Sequence, residues 1–183
     1  MLAMWQSVLF KLAVINLVLA LSSLITWGQR SANELRLEVT IITGEHSRDS
    51  NSVTRTLTVS SGKLVYEEAY QGAHSNRRQP VRKEYKLTKQ DQAALIGLLK
   101  ENHLLTNGTI SRPPPQKGSS RYFELSILSK LDGKETTISI DAFPGEAELK
   151  TDRLYQGSVN LIERLYLIIN RTDPNITSPT LID

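Results

Sequence analysis

There is no cysteine in the chain. That single absence excludes disulfides, thiolate metal ligands, a lipid-modified cysteine, a disulfide-linked partner and thiol catalysis together. Histidine is nearly as scarce. His46, His74 and His103 are neither adjacent nor one helical turn apart, so no metal signature forms. Charge of one sign is also missing: 22 basic residues stand against 19 acidic ones, a net charge of +3. Setting aside the first 29 residues with their single Lys leaves 21 against 19, which gives no support to a polyanion-binding protein. No Gly-x-Ser-x-Gly elbow, phosphate loop or dinucleotide fingerprint occurs. Ser60 and Lys63 match the Ser-x-x-Lys spacing of serine acyl-transferases, but they straddle an expected hairpin turn rather than one turn of a helix, and the partner motifs are absent. No cofactor is expected.

What is present begins with MLAMWQSVLFKLAVINLVLALSSLITWGQR, uncharged from Leu12 to Gln29 behind Lys11. This is the pattern of a secretory signal or an N-terminal membrane anchor. Asn16, Ser22, Ser23 and Thr26 dilute the apolar run and favour cleavage, whereas residues 8–28 are long enough to stay as an anchor. Either form places the rest of the chain outside the cytoplasm, periplasmic or extracellular. A cysteine-free exported domain of this size suits a bacterial envelope.

Residues 34–171 read as one α+β domain and residues 172–183 as a loose tail with two prolines. ELRLEVTIIT (34–43) alternates apolar and polar side chains, as a strand with one buried face does. TRTLTVSSGKLVYEEAY (54–70) predicts a hairpin turning on Ser61-Gly62, and a short strand follows over 81–87. LTKQDQAALIGLLKENHLL (87–105) changes to a helical period, with Thr88 as N-cap, Asp91 in the first turn and His103 in the last turn. NGTISRPPPQKGSS (107–120) reads as a surface connection. The second hairpin, 121–143, turns on Asp132-Gly133, with Phe123, Leu125 and Ile127 answering Ile138, Ile140 and Ala142. A closing helix over 157–171 carries the apolar residues Leu161, Leu165 and Ile168, a stripe that Leu154 begins just before it. The expected fold is thus a mostly antiparallel sheet of five or six strands with two helices on one face, preceded by the hydrophobic leader.

One stretch invites a binding role. HSNRRQPVRKEYK (74–86) holds Arg77, Arg78, Arg82, Lys83 and Lys86 against one acid, Glu84. Nucleic-acid patches interleave such charges with aromatics or set them on a helix face, and only Tyr85 lies here, so nucleic acid is not expected as a partner. In an extended segment Arg82 and Glu84 point one way, and Val81, Lys83 and Tyr85 the other. The five basic residues therefore serve as solvation and protection of a sheet edge, with weak contact to an anionic envelope surface as the competing role. The adjacent acids Glu67 and Glu68 fall on opposite faces of a strand and cannot share a substrate.

The run from Tyr85 to Lys100, followed by the Asp-Gly hairpin and a leucine-rich closing helix, looks like small bacterial exported domains with no assigned activity. Over about residues 53–170 the same order resembles emfourin-type protease inhibitors. That resemblance implies a small α+β domain accompanying an exported metalloprotease, and it transfers no inhibitory residue. The expectation is a non-enzymatic exported domain that binds a protein partner at the envelope. An enzyme whose groups meet only in the fold is the rival.

Overall fold

The computed structural model of the chain describes residues 34–45, 51–72, 78–111, 121–142 and 149–179. The leader, His46, His74, Arg77 and the triple proline lie outside them. Period-two alternation gives β1 (Arg36–Glu45), β2 (Ser52–Ser60), β3 (Lys63–Gln71) and β4 (Val81–Lys86). The capped helical segment forms α1 (Lys89–Glu101), and β5 (Gly108–Ser111), β6 (Arg121–Leu131) and β7 (Lys134–Ala142) follow. A short 3-10 turn at Leu149–Thr151 leads into α2 (Arg153–Asn170), whose N-cap is Asp152. Among the described residues no helix is long and apolar enough to cross a membrane.

The strands form one sheet in the order β4-β3-β2-β1-β6-β7-β5, antiparallel except where β5 runs parallel to β7. Both hairpins turn where the sequence places them. Ser61 and Gly62 have φ of 48° and 75°, and Asp132 and Gly133 have 54° and 78°, the left-handed pair that a type I′ turn requires. The expected register of the second hairpin is also found, with Phe123 opposite Ala142, Leu125 opposite Ile140 and Ile127 opposite Ile138.

The sheet has seven strands, not five or six. The added strand is β5, inside a stretch expected to be only a connection. Four residues are too short for alternation to register, and the strand is fixed by tertiary contacts instead. Asn107 Oδ1 accepts from the Thr137 amide (2.8 Å) at the start of the pairing. The Leu154 side chain lies over Gly108, where a Cβ would come within 2.6 Å of it.

One sheet face is buried. Leu37, Val39 and Ile41 of β1, Leu57 and Val59 of β2, Leu125 and Ile127 of β6 and Ile138 and Ile140 of β7 share a single core with Leu95 and Leu99 of α1 and Leu161, Leu165 and Ile168 of α2. Both helices therefore cover the same face. The α2 stripe is wider than the sequence shows, because Tyr155, Val159, Ile162, Tyr166 and Ile169 are buried as well. On the opposite face, Thr40 pairs laterally with Thr56 and Ser126, and Ser126 with Ser139, leaving a row of small hydroxyl side chains.

His103 lies just beyond α1 rather than in its last turn. Helix α1 ends at Glu101, and His103 takes φ of 56° while its amide bonds to Lys100 O (3.2 Å) and the Leu104 amide to Leu99 O (2.8 Å). This is a Schellman termination with His at the position that favours Gly. His103→Gly is accordingly expected to stabilise the chain by about 1 kcal/mol through relief of left-handed strain. An unchanged or lowered midpoint in urea would show that the His103 side chain offsets that strain.

Candidate functional site

The parity that builds the core also carries charge onto the buried face. In β2, Leu57 and Val59 are buried, so Arg55 two residues earlier points the same way. In β3 the same rule aligns Glu68 and Tyr70 with Leu64 and Tyr66, and in β4 it aligns Val81 and Lys83 with Tyr85. The register places Arg55 opposite Glu68, Glu68 opposite Val81, and Tyr66 opposite Lys83.

Arg55 Nε donates to Glu68 Oε2 at 2.8 Å, and the side chains are only 18% and 13% exposed. Arg55 Nη1 reaches Thr43 Oγ1 (3.2 Å), which ties the pair to β1. Glu68 also accepts from the Tyr66 hydroxyl (2.7 Å) and from the Tyr70 hydroxyl. Burial pushes the Glu68 carboxyl up, but the two hydroxyls and the Arg55 guanidinium more than reverse this, and its pKa lies below the ordinary value. Burial and then the bond to Glu68 raise the Tyr66 hydroxyl far above the usual tyrosine range. The Tyr66 ring meets Tyr166 of α2 edge-on at 6.2 Å, and burial pushes the Tyr166 hydroxyl up to about 12.

Residues after α2 close the other side. The amides of Thr172 and Asp173 bond to Ile169 O (3.0 and 2.9 Å), and the Asp173 carboxylate accepts from Lys83 Nζ (3.0 Å) and the Tyr85 hydroxyl (2.8 Å). These bonds, Tyr85 first and Lys83 second, hold the Asp173 carboxyl below its usual range. Ile176 packs against the core. Within the segment expected to be a loose tail, Asp173 is thus bonded to β4 and Ile176 packed on the core. Between this strap and the sheet lies a pocket of about 370 Å³ lined by Arg55, Tyr66, Glu68, Val81, Lys83, Asn175, Ile176 and Thr177.

The strap depends on the Asp173 charge. Asp173→Asn is expected to speed amide hydrogen exchange across residues 175–177 while exchange in β1 and β6 stays unchanged. Equal exchange in both forms would show that Ile176 alone fixes the segment.

No family model matches the chain, and no curated protein matches it. A second hollow, of about 310 Å³, lies at the far end of β1, β2 and β6 beside Arg36, Glu38, Lys130 and Glu135. Its charges are dispersed, with Lys130 and Glu135 3.9 Å apart. Among the described residues no group of three or more His, Asp or Glu side chains could hold a metal ion.

The basic stretch divides in the structure. Lys83 faces the pocket, and Arg78 sits 5.1 Å from the centre of the Tyr70 ring. Arg82 pairs with Glu67 on the opposite face, where Lys63 and Glu84 also pair (2.7 Å). Lys86 is exposed on that opposite face, and Arg77 lies outside the described residues. The division that alternation predicts for Val81 to Tyr85 is thus present, as is the separation of Glu67 from Glu68. Sequence reading missed Arg55, Tyr66, Glu68, Tyr70 and Asp173 as a group. One signal was available: Arg55 and Glu68 each fall on the apolar parity of their strand, which is costly for a charge without a partner.

Proposed function

We propose that the chain is an exported, non-enzymatic domain that binds a partner at the cell envelope, and that the pocket between β2–β4 and residues 175–177 is its recognition site. The carrying observation is the state of the pocket's carboxylate. Glu68 accepts hydrogen bonds from three side chains and its pKa is depressed. A general base needs a free lone pair and a pKa near the working pH. The tyrosine hydroxyls beside it are held protonated, so they are poor nucleophiles. Groups that converge yet are already engaged suit recognition better than turnover.

The apolar leader supports export, and residues 8–28 supply an anchor if they are retained. The resemblance to emfourin-type inhibitors makes an exported metalloprotease the first partner to test. The experiment is affinity capture by the full chain from native envelope, then reconstitution of each captured protein with purified chain. Saturable binding to one captured protein, weakened by Lys83→Gln, supports the reading. Turnover of any substrate in a hydrolase panel, lost in Glu68→Gln, would replace it with an enzymatic one. Mass spectrometry of the mature chain settles the leader, because an intact Met1 in the membrane fraction excludes cleavage.

A further inference from the structure

The pocket's hydrogen-bonding capacity is unevenly used. Glu68 is close to saturation, with Arg55, Tyr66 and Tyr70 all donating to it. Its donors are not. A guanidinium carries more N–H groups than the two that Arg55 uses on Glu68 and Thr43, and the Lys83 ammonium gives one bond, to Asp173. The Asn175 amide and the Thr177 hydroxyl line the same pocket from exposed positions. The surplus inside the pocket is therefore one of donors, two of them cationic. Arg55, with its side chain only 18% exposed, lacks full hydration of its remaining N–H groups, so a ligand that supplies acceptors relieves that cost.

Two further features narrow the ligand. Lys83 and Tyr85 already hold a carboxylate, that of Asp173, at 3.0 and 2.8 Å. The chain itself thus displays the group that this corner of the site accepts. Arg55 and Lys83 stand on strands flanking β3, offset by one residue pair along it, which sets their Cα atoms roughly 12 Å apart by sheet spacing. From those positions Arg55 and Lys83 line one pocket, with Tyr66 and Glu68 of β3 between them. Val81 and Ile176 give the same pocket an apolar wall.

We propose that this pocket binds a small organic oxyanion, a carboxylate held between Arg55 and Lys83 with its aliphatic body against Val81 and Ile176. The inference rests on the reading of this chain as a binding domain and names the ligand class of that same site. Arg55 Nη2, which bonds neither Glu68 nor Thr43, offers a charge-assisted donor to a carboxylate oxygen. A cavity of about 370 Å³ fits a molecule at the small end of the ligand range. Arg78, over the Tyr70 ring, adds positive potential at the same end of β3. The basic residues on the opposite sheet face do not compete: Arg82 and Lys63 are paired with Glu67 and Glu84 in open solvent.

The test is calorimetric titration of the full chain, purified in mild detergent, with succinate, inorganic phosphate, succinamide and sodium chloride at matched ionic strength. Succinate is expected to bind saturably, and succinamide and chloride are not. Lys83→Gln should weaken succinate binding by about tenfold, the loss of one charge-assisted bond. Arg55→Gln should weaken it further, and Lys86→Gln, on the opposite face, should leave it unchanged. Because Arg55→Gln leaves Glu68 without its cation, its melting is measured alongside. If it unfolds, Lys83→Gln against Lys86→Gln decides alone. Equal weakening by those two variants, equal binding of succinamide, or no saturable binding of either oxyanion overturns the site. Phosphate binding tighter than succinate overturns the preference for a carboxylate. A chain that binds no oxyanion yet captures an envelope partner removes only this inference. Turnover at this pocket removes the binder reading beneath it instead.

Discussion

Replacing Asp91 with Ala is expected to destabilise the chain by about 3 kcal/mol, the combined loss of a helix cap and of a carboxylate paired inside the protein. Asp91 is 2% exposed, although it lies in the first turn of α1. Its Oδ2 accepts from the Thr88 amide (3.2 Å) and hydroxyl (2.7 Å), while the Thr88 hydroxyl accepts from the Asp91 amide (3.0 Å), a reciprocal cap. Arg171, just beyond α2, grips both carboxylate oxygens at 3.0 and 2.9 Å, and Arg164 stands 3.5 Å away. One carboxylate thus fastens the start of one helix to the end of the other. The Arg171 bonds come first in lowering its pKa to about 2, against an ordinary value of 3.8, with burial opposing them and Thr88 adding to them. A carboxyl with a depressed folded pKa contributes its full stabilisation above the unfolded value and loses it as pH falls toward the folded one. Urea midpoints of the native chain should therefore drop between about pH 4 and pH 2 more steeply than those of Asp91→Asn. Parallel curves for the two proteins would show that Arg171 is held by something other than Asp91.

The two helix glycines are expected to respond in opposite directions. A Cβ on Gly157 of α2 would stand 2.7 Å from Asn102 Cβ and 3.3 Å from the Asn102 carbonyl oxygen, at the C-cap of α1. Backbone at a helix terminus cannot swing aside as a side-chain tip does. The overpacking cost is about 1–3 kcal/mol for Ala and more for Val, against the roughly 1 kcal/mol that Gly→Ala returns in helix propensity. Gly157→Ala should therefore lower stability, and Gly157→Val should lower it by about 3 kcal/mol or more. Gly97 of α1 meets only the flexible end of Glu101 at 3.9 Å. Gly97→Ala should raise stability by nearly the full propensity difference, about 1 kcal/mol. Denaturant curves of the three variants check both signs. A stabilised Gly157→Ala would mean that α1 and α2 separate at no cost.

Short-range pattern carried most of the fold into view from sequence. Both hairpins, the Thr88 cap and the facing pairs of β6 and β7 depend on neighbours within a few residues, where periodicity and turn chemistry act. What escaped depends on distant partners. β5 exists because β7 and Leu154 accept it. Asp91 reads as an ordinary first-turn acid until Arg171, 80 positions later, arrives beside it. The candidate site escaped for the same reason: Lys83 meets Asp173 across 90 positions, and Arg55 meets Glu68 across a hairpin whose register had first to be known. Alternation did settle one matter in advance, that the basic stretch could not act as a single surface.

The place of β1 in the sheet sets the order in which the chain can fold. Strand β1 comes first of the seven but lies between β2 and β6, so Leu37 pairs with Val59 on one side and with Ser129 on the other. The two hairpins, β2–β3 and β6–β7, close locally and need no other strand. Joining them requires β1 to wait until β6 exists, and closing so long a loop is what slows non-local sheets. During refolding, amide protection is expected first in the two hairpins and last across the β1–β6 seam. Until that seam closes, the refolding chain is two half-sheets with unpaired strand edges, so β1 is where a folding helper would matter most.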